Sequence, residues 1–162
     1  MKKAIAIIIL GLLLSGCGTG LHPLASKYKP DGFGGGYSEQ QVASDRYIVK
    51  YRGNGYTRCE LVYNRAILRA AEFTVELNKD LFAITHDLDD SETTSGGYGG
   101  PSTRCTRKLE IVVENFSDYI DVTNLSKNES KKKFEDWIRS ESVTNYYIAE
   151  DTVMYFDEYR HQ

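Results

Sequence analysis

The chain has 162 residues, of which 41% are apolar, and carries 23 acidic and 20 basic side chains for a formal net charge of −3 at pH 7. This length and composition supply enough apolar surface for one folded domain with a single core. The negative balance disfavours nucleic acid as a partner, because such binding depends on a basic surface that displaces counterions. We therefore expect no nucleic-acid partner.

Residues 1–16 predict an export signal. Two lysines precede an uncharged apolar run over residues 4–14, which is too short for a bilayer that requires about 20 residues. The run ends in the letters LSGC, which resemble the lipobox of bacterial lipoproteins. That resemblance implies a lipoprotein signal peptide, cleavage before Cys17 and a lipid on the Cys17 thiol. An ordinary secretory signal with a chance cysteine is the alternative.

The lipidated cysteine predicts a location in the bacterial cell envelope. Several acyl chains on Cys17 hold a protein firmly to a membrane, whereas one chain holds it weakly. Gly18, rather than an aspartate, follows the cysteine, and resemblance to enterobacterial sorting then favours the outer membrane, with the protein facing the periplasm. The expected partners are this membrane and an unknown envelope component.

Residues 17–36 predict the lipid anchor and a flexible tether, because they are rich in glycine and show almost no apolar periodicity. Residues 37–162 then form a single domain. Within it, Cys59 and Cys105 are the two remaining cysteines, and an oxidising compartment favours a disulfide between them. Two buried free thiols are the alternative, and no nearby histidine or CxxC partner supports a catalytic thiol.

The first half of the domain predicts a strand, a long helix and a second strand. Residues 46–52 alternate apolar and polar side chains, which is typical of a strand with one face inward. Residues 57–77 predict a helix from a regular apolar stripe and from a capping box at Thr57 and Glu60. Asn78 suits a left-handed stop. Residues 81–87 predict the second strand, nearly parallel to the first through a right-handed crossover.

The second half predicts shorter elements. Residues 88–106 are polar and glycine-rich and predict an exposed loop. A third strand is expected over residues 108–114, with an added hairpin strand at residues 119–123. After these follow a helix that begins with a capping box at Ser126 and Glu129, a strand over residues 143–148 and a helix over residues 150–160. Together these elements predict an α+β fold: a small mixed β-sheet, one long helix (residues 57–77) on one face, and short C-terminal helices.

Three segments, GGGYSE, RYIVKYRGNGYT and RAILRAAEFTVELNKDLFAI, resemble a family of small proteobacterial lipoproteins first catalogued from Caulobacter. That family has a GGYSE turn, a strand ending in GN and a helix with an RAAE core. The matching residues here are Gly35, Gly36, Tyr37, Ser38, Glu39, Gly53, Asn54, Thr57, Arg69, Ala70, Ala71, Glu72 and Phe82. The family has no assigned activity, so the resemblance implies location and fold but no mechanism.

The two parts of this motif carry specific expectations. Gly35 and Gly36 are expected to adopt backbone angles that other residues resist. Arg69 and Glu72 lie three residues apart on the predicted helix, where they form either a surface ion pair or a pair that orders the neighbouring glycine turn.

The sequence predicts no cofactor and no metal site. The glycines of residues 32–36 lack the preceding strand and the following Lys-Ser or Lys-Thr of a phosphate-binding loop. The acidic run that follows His86 offers carboxylates to a hard cation, but an EF-type loop starting at Asp87 has Glu92 where glycine is needed. A solvated acidic loop is the favoured interpretation.

These observations favour a non-enzymatic binding or interaction module with no catalytic residues. The alternative is a periplasmic hydrolase that uses His86 and nearby carboxylates. Strand alternation places His86 on the inward face beside Phe82 and Ile84, but no GxSxG-type turn supports a nucleophilic serine.

Overall fold

The computed structural model describes residues 25–95, 100–141 and 146–162. The predicted signal peptide, Cys17 and the first part of the predicted tether lie outside these ranges. The α+β fold class is confirmed within them. No helix in the described ranges combines the length and the apolar character needed to cross a membrane.

The described ranges contain seven strands and four helices, and their bounds follow the sequence prediction at most places. The strands are β1 (Gly36–Gln41), β2 (Arg46–Arg52), β3 (Leu81–Asp89), β4 (Glu92–Thr94), β5 (Ser102–Arg104), β6 (Thr106–Glu114) and β7 (Tyr146–Ile148). The helices are α1 (Cys59–Glu76), α2 (Lys127–Glu141), α3 (Ala149–Phe156) and α4 (Glu158–His161), and Phe116–Asp118 forms a 3₁₀ turn.

The main sheet has five strands in the order β1-β2-β6-β3-β7, and β4 pairs with β5 in a separate two-stranded sheet. Neighbouring strands in the main sheet are all antiparallel, whereas a mixed sheet was predicted. The reason is that β6 lies between β2 and β3. These two strands run parallel to one another, as α1 between them predicts, without being hydrogen-bonded neighbours.

The core lies between α1 and the sheet. One side of α1 buries a stripe of small and branched residues against the inward face of β2 and β6; the core includes Val49, Tyr51, Val62, Ala66, Ile67, Ala70, Leu109 and Ile111. The inward alternation predicted for β2 is confirmed, and so is the left-handed Asn78, with φ 55° after the end of α1. A second cluster joins Leu81, Phe116 and Phe134 under α2.

The disulfide between Cys59 and Cys105 is confirmed, with their Cα atoms 5.2 Å apart. It ties the first residue of α1 to the residue that precedes β6. By closing a loop of 46 residues in the unfolded chain, it contributes roughly 4 kcal/mol on the chain-entropy model.

The predicted capping box at Thr57 and Glu60 is wrong. Helix α1 begins at Cys59 with Arg58 as its N-cap and has no side-chain cap. The Thr57 hydroxyl is buried and instead accepts a hydrogen bond from the Ser26 amide at 2.8 Å. A tertiary partner has therefore replaced the local one that the sequence pattern suggests. The second box is confirmed, because the Glu129 carboxylate accepts from the Ser126 amide at 2.8 Å.

Three predictions in the second half need correction. The polar loop of residues 88–106 includes the hairpin strands β4 and β5, although both are exposed as expected. Residues 119–123 form no strand. The Tyr119 ring packs instead on Trp137 of α2, with the two ring centroids 4.9 Å apart. The helix predicted over residues 150–160 divides at Asp157 into α3 and α4, and the start of the strand predicted over residues 143–148 lies outside the described residues.

The flexible tether predicted for residues 17–36 does not extend through residues 25–36. Ser26 is buried, the Tyr51 hydroxyl donates to the Lys27 carbonyl at 3.0 Å, and the Tyr37 amide donates to the Lys29 carbonyl at 2.9 Å. The segment lacks apolar periodicity because backbone groups, which leave no trace in side-chain patterns, make most of these contacts. The packed part of the chain therefore already includes Ser26.

Candidate functional site

The glycine turn sets the geometry of the candidate site. Gly35 and Gly36 have φ angles of +98° and +146°, in a region that L-residues with a Cβ avoid. A Cβ on Gly35 would overlap the carbonyl oxygen of Arg52, and one on Gly36 would overlap that of Lys29. Both expectations for these glycines are confirmed. The close approach lets β1 start directly beside β2, so that Tyr37 and Glu39 face α1.

The side chain of Arg69, on α1, contacts the residues that follow this turn. Its side chain is nearly buried, with 8% of the residue exposed. The guanidinium donates to the Glu39 carboxylate and, through Nη1 and Nη2, to Glu76 at 2.7 and 2.9 Å, and its carbon lies 4.6 Å from the ring centroid of Tyr37. The contact with Glu72 is longer, at 3.5 Å. Of the two interpretations of Arg69, the one in which it orders the glycine turn is supported.

Glu72 extends the network toward both ends of the chain. It accepts hydrogen bonds from the Tyr28 hydroxyl and from Arg160 at 2.5 Å. The Tyr28 ring in turn lies 5.1 Å from that of Tyr37. We call this set the Arg69 cluster; it consists of Tyr28, Tyr37, Glu39, Arg69, Glu72, Glu76 and Arg160.

The surroundings of Tyr28 and Arg69 raise the pKa of both groups. Burial raises the pKa of Tyr28, and the hydrogen bond to Glu72 and the charge of that carboxylate raise it further. Burial alone would lower the pKa of Arg69, but the hydrogen bonds with Glu76 and Glu39 raise it above its ordinary value. Both groups therefore stay protonated at neutral pH, and neither is suited to exchange a proton there.

A pocket of about 760 Å³ adjoins the cluster. The rings of Tyr28 and Tyr37 and three aliphatic side chains, Val75, Val153 and Met154, form its apolar walls. The charged groups beside these walls are engaged with each other or, for Glu150, with Lys127 at 2.6 Å. The pocket therefore presents an apolar surface that an apolar ligand group can cover.

The other motif residues have supporting positions. Ala70 and Ala71 are fully buried beneath the cluster, where a larger side chain would separate α1 from the sheet. Ser38 stands opposite Lys50 across β1 and β2. Phe82 is buried on β3 and stacks on Tyr147 with the ring centroids 5.0 Å apart.

Sequence reasoning missed three members of the cluster. Glu76 lies seven residues after Arg69, two helical turns along α1, so helical period was a usable signal. Tyr28 belongs to a segment without periodicity, and Arg160 is 88 residues from Glu72. No local sequence pattern indicates that Tyr28 or Arg160 contacts Glu72.

The prediction that His86 faces inward is wrong. A β-bulge between Ile84 and His86 shifts the strand alternation, so the histidine side chain is 65% exposed, with Nδ1 3.3 Å from Glu110. In the described residues no serine hydroxyl is hydrogen-bonded to His86. The serine–histidine contact of a Ser-His-Asp arrangement is therefore not formed at His86 within these residues.

The acidic residues after His86 pair with the neighbouring strand. Asp87 and Asp89 form ion pairs with Arg107, and Asp90 pairs with Lys108 at 2.6 Å. Over the described ranges, no group of three or more histidine, cysteine, aspartate or glutamate side chains is placed to hold a metal ion.

No protein-family model matches the chain, and neither a curated protein nor a solved structure is significantly similar to it. The resemblance to the Caulobacter lipoproteins therefore stays a prediction that rests on the motif residues.

Proposed function

We propose that the protein is a lipid-anchored lipoprotein of the bacterial cell envelope that faces the periplasm and acts as a non-enzymatic binding module. The lysine-led apolar leader and the LSGC letters before the domain support the anchor. The disulfide between Cys59 and Cys105 supports an oxidising compartment such as the periplasm. The ligand site is the pocket beside the Arg69 cluster.

One observation carries the choice of binding over catalysis. The charges of the Arg69 cluster satisfy one another, while the pocket next to them keeps exposed apolar walls. Met154 is 71% exposed and Val75 is 39% exposed, and covering such surface is favourable by about 25 cal/mol per Å². A ligand group that fills the pocket gains this contact without displacing an ion pair.

A photo-crosslinker at Met154 tests the pocket. We expect p-benzoylphenylalanine at this position, in the full-length protein in cells, to form a covalent adduct with an envelope component. The matched control places it at Arg139, which is comparably exposed but belongs to α2 and is not among the residues that line the pocket. Adducts at both sites, or at neither, would contradict a ligand site beside the Arg69 cluster.

Metabolic labelling tests the anchor separately. Radiolabelled palmitate should appear on the wild-type protein and be absent from the Cys17→Ala variant. Label that persists in this variant would overturn the lipoprotein assignment and leave the pocket experiment unaffected.

A further inference from the structure

A second cleft, of about 1070 Å³, is lined by the glycine turn and by both cysteines of the disulfide. Its walls come from three stretches: residues 32–35 of the turn, residues 52–59 between β2 and α1, and residues 101–105 around β5. Cys59 and Cys105 both line it, so the disulfide holds two of the three walls together. We call it the arginine cleft.

The lining of the arginine cleft includes three basic side chains, in a chain whose net charge is negative. Arg52, Arg58 and Arg104 line it, and none of its described lining residues is an aspartate or a glutamate. Arg52 is held by Asp31 at 2.8 Å. Three arginines therefore line one concave surface on a protein with a formal charge of −3. Such a concentration of one sign attracts anions.

Two of these arginines are accessible to a ligand. Arg58 is 80% exposed, and its ion pair with Glu60 at 2.9 Å joins two solvated side chains; exposed pairs of this kind contribute only about 0–1 kcal/mol. Arg104 is exposed and forms no ion pair within the described residues. A guanidinium presents parallel N–H donors that fit a carboxylate or phosphate group.

The cleft also has two exposed aromatic side chains against which a ligand ring could pack. Phe33 is fully exposed and Tyr56 is 55% exposed, and both line the cleft. Exposed large aromatic side chains beside a cationic surface are suited to a partner that has an apolar ring face as well as negative charge. The Ser102 hydroxyl, on β5, adds a hydrogen-bonding group that matches sugar hydroxyls.

We propose that the arginine cleft binds an acidic saccharide. Arg58 and Arg104 bind its oxyanion, and Phe33 packs against the apolar face of a sugar ring. The oxyanion is a carboxylate or a phosphate on the saccharide, two sources of the same charge. This site is separate from the pocket beside the Arg69 cluster and does not depend on the lipid anchor.

Isothermal titration calorimetry on the full-length protein in a neutral detergent tests the proposal. The probes are trigalacturonate, glucose 6-phosphate, maltotriose and inorganic phosphate. We expect at least one of the two acidic sugars to bind at least tenfold more tightly than maltotriose and inorganic phosphate, and more weakly as salt rises. The tighter acidic sugar identifies the oxyanion. Binding of inorganic phosphate with equal affinity would mean an anion site without saccharide recognition and would overturn the proposal, as would no binding of either acidic sugar.

Three variants locate the binding. Because the side chains concerned are exposed, the substitutions should leave the circular dichroism spectrum unchanged. The double variant Arg58→Gln, Arg104→Gln should weaken binding at least tenfold, and Phe33→Ala at least threefold. The control Arg139→Gln removes an arginine that is 73% exposed on α2 and should leave affinity unchanged. An equal loss from the control, or no loss from the double variant, would place binding elsewhere and reject the arginine cleft.

Discussion

Arg65 and Arg69 lie one helical turn apart on α1, and both are buried, with exposed fractions of 1% and 8%. Arg69 is surrounded by the carboxylates of the Arg69 cluster. Arg65 donates to the carbonyls of Ser26 at 2.5 Å and Tyr159 at 2.9 Å and to the Tyr51 hydroxyl at 2.9 Å. No described carboxylate lies within ion-pair distance of Arg65. One buried cation is thus neutralised, and its neighbour is satisfied by neutral acceptors alone.

The two buried arginines therefore have different structural roles. Arg69 gathers like charges from β1 and α1 that would repel one another without it. Arg65 joins three distant stretches of backbone and ring: the N-terminal segment, β2 and α4. Hydrogen bonds to a charged group contribute roughly 1.5–3 kcal/mol, and several of them offset the cost of burying a cation without a counterion.

The largest effect is expected from Arg69→Met. The variant leaves Glu39, Glu72 and Glu76 close together without their shared cation, and breaking a largely buried ion pair in this way costs roughly 3–5 kcal/mol. The free energy of unfolding in urea measures the loss. Adding Glu39→Gln to this variant should restore part of it, because one of the three carboxylates is then neutral. A second substitution that lowers stability further would contradict the charge explanation.

Arg65→Met should destabilise the protein by a smaller amount, roughly 2–3 kcal/mol, because it leaves neutral acceptors unsatisfied instead of repelling charges. Hydrogen exchange of the Ser26 and Tyr159 regions should rise in this variant more than in Arg69→Met. If the two variants loosen the same regions to the same extent, the two arginines are not distinct in function.

Gly36→Ala tests the turn that brings β1 to Arg69. We expect a loss of about 2 kcal/mol in the free energy of unfolding, because the residue has a left-handed φ and its Cβ would overlap the Lys29 carbonyl. The control is Gly32→Ala, where φ is not left-handed and no atom lies within 4 Å of the added Cβ; it should change stability by less than about 0.5 kcal/mol. Similar losses at both positions would mean that the turn is not specifically constrained.

The smallest effect concerns alkaline pH. Burial and Glu72 raise the pKa of Tyr28, whereas burial raises the pKa of Tyr51 against the opposing charge of Arg65. A raised tyrosine pKa contributes stability below the unfolded pKa of about 10, and this is lost as pH rises, because only the unfolded chain then releases the proton.

We therefore expect Tyr28 to account for a loss of about 1 kcal/mol between pH 10 and 11. Urea unfolding at the two pH values should show a smaller loss in Tyr28→Phe than in the wild type, and Tyr51→Phe should reduce the loss less. An unchanged pH dependence in Tyr28→Phe would show that this hydroxyl is not held protonated by Glu72.

Local periodicity explains which elements could be predicted. The alternation of β2 and the stripe of α1 follow from the geometry of a strand and a helix, so the core around Val49 and Val62 was readable. His86 was misplaced because one extra residue at a β-bulge reverses inside and outside, and sequence alternation carries no sign of it.

The candidate site was readable only in part. The motif residues Glu39 and Arg69 were singled out by resemblance and do meet, but their meeting depends on a glycine turn whose direction no pattern gives. Ser26 was assigned to a tether because its contacts are made by backbone amide and carbonyl groups. Sequence patterns of side chains record burial of apolar groups, and they record such backbone contacts poorly.

The attachment of Ser26 to Arg65 limits how far the domain can stand from a membrane. An extended chain covers at most about 3.6 Å per residue, so with a lipid on Cys17, as we propose, the eight steps to residue 25 reach at most about 29 Å. A tether that continued to Gly36 would reach about 68 Å by the same measure. If Cys17 carries the proposed lipid, this short linker would confine the binding surfaces to a layer about one domain deep, and the ligands they meet would be those displayed at the membrane face.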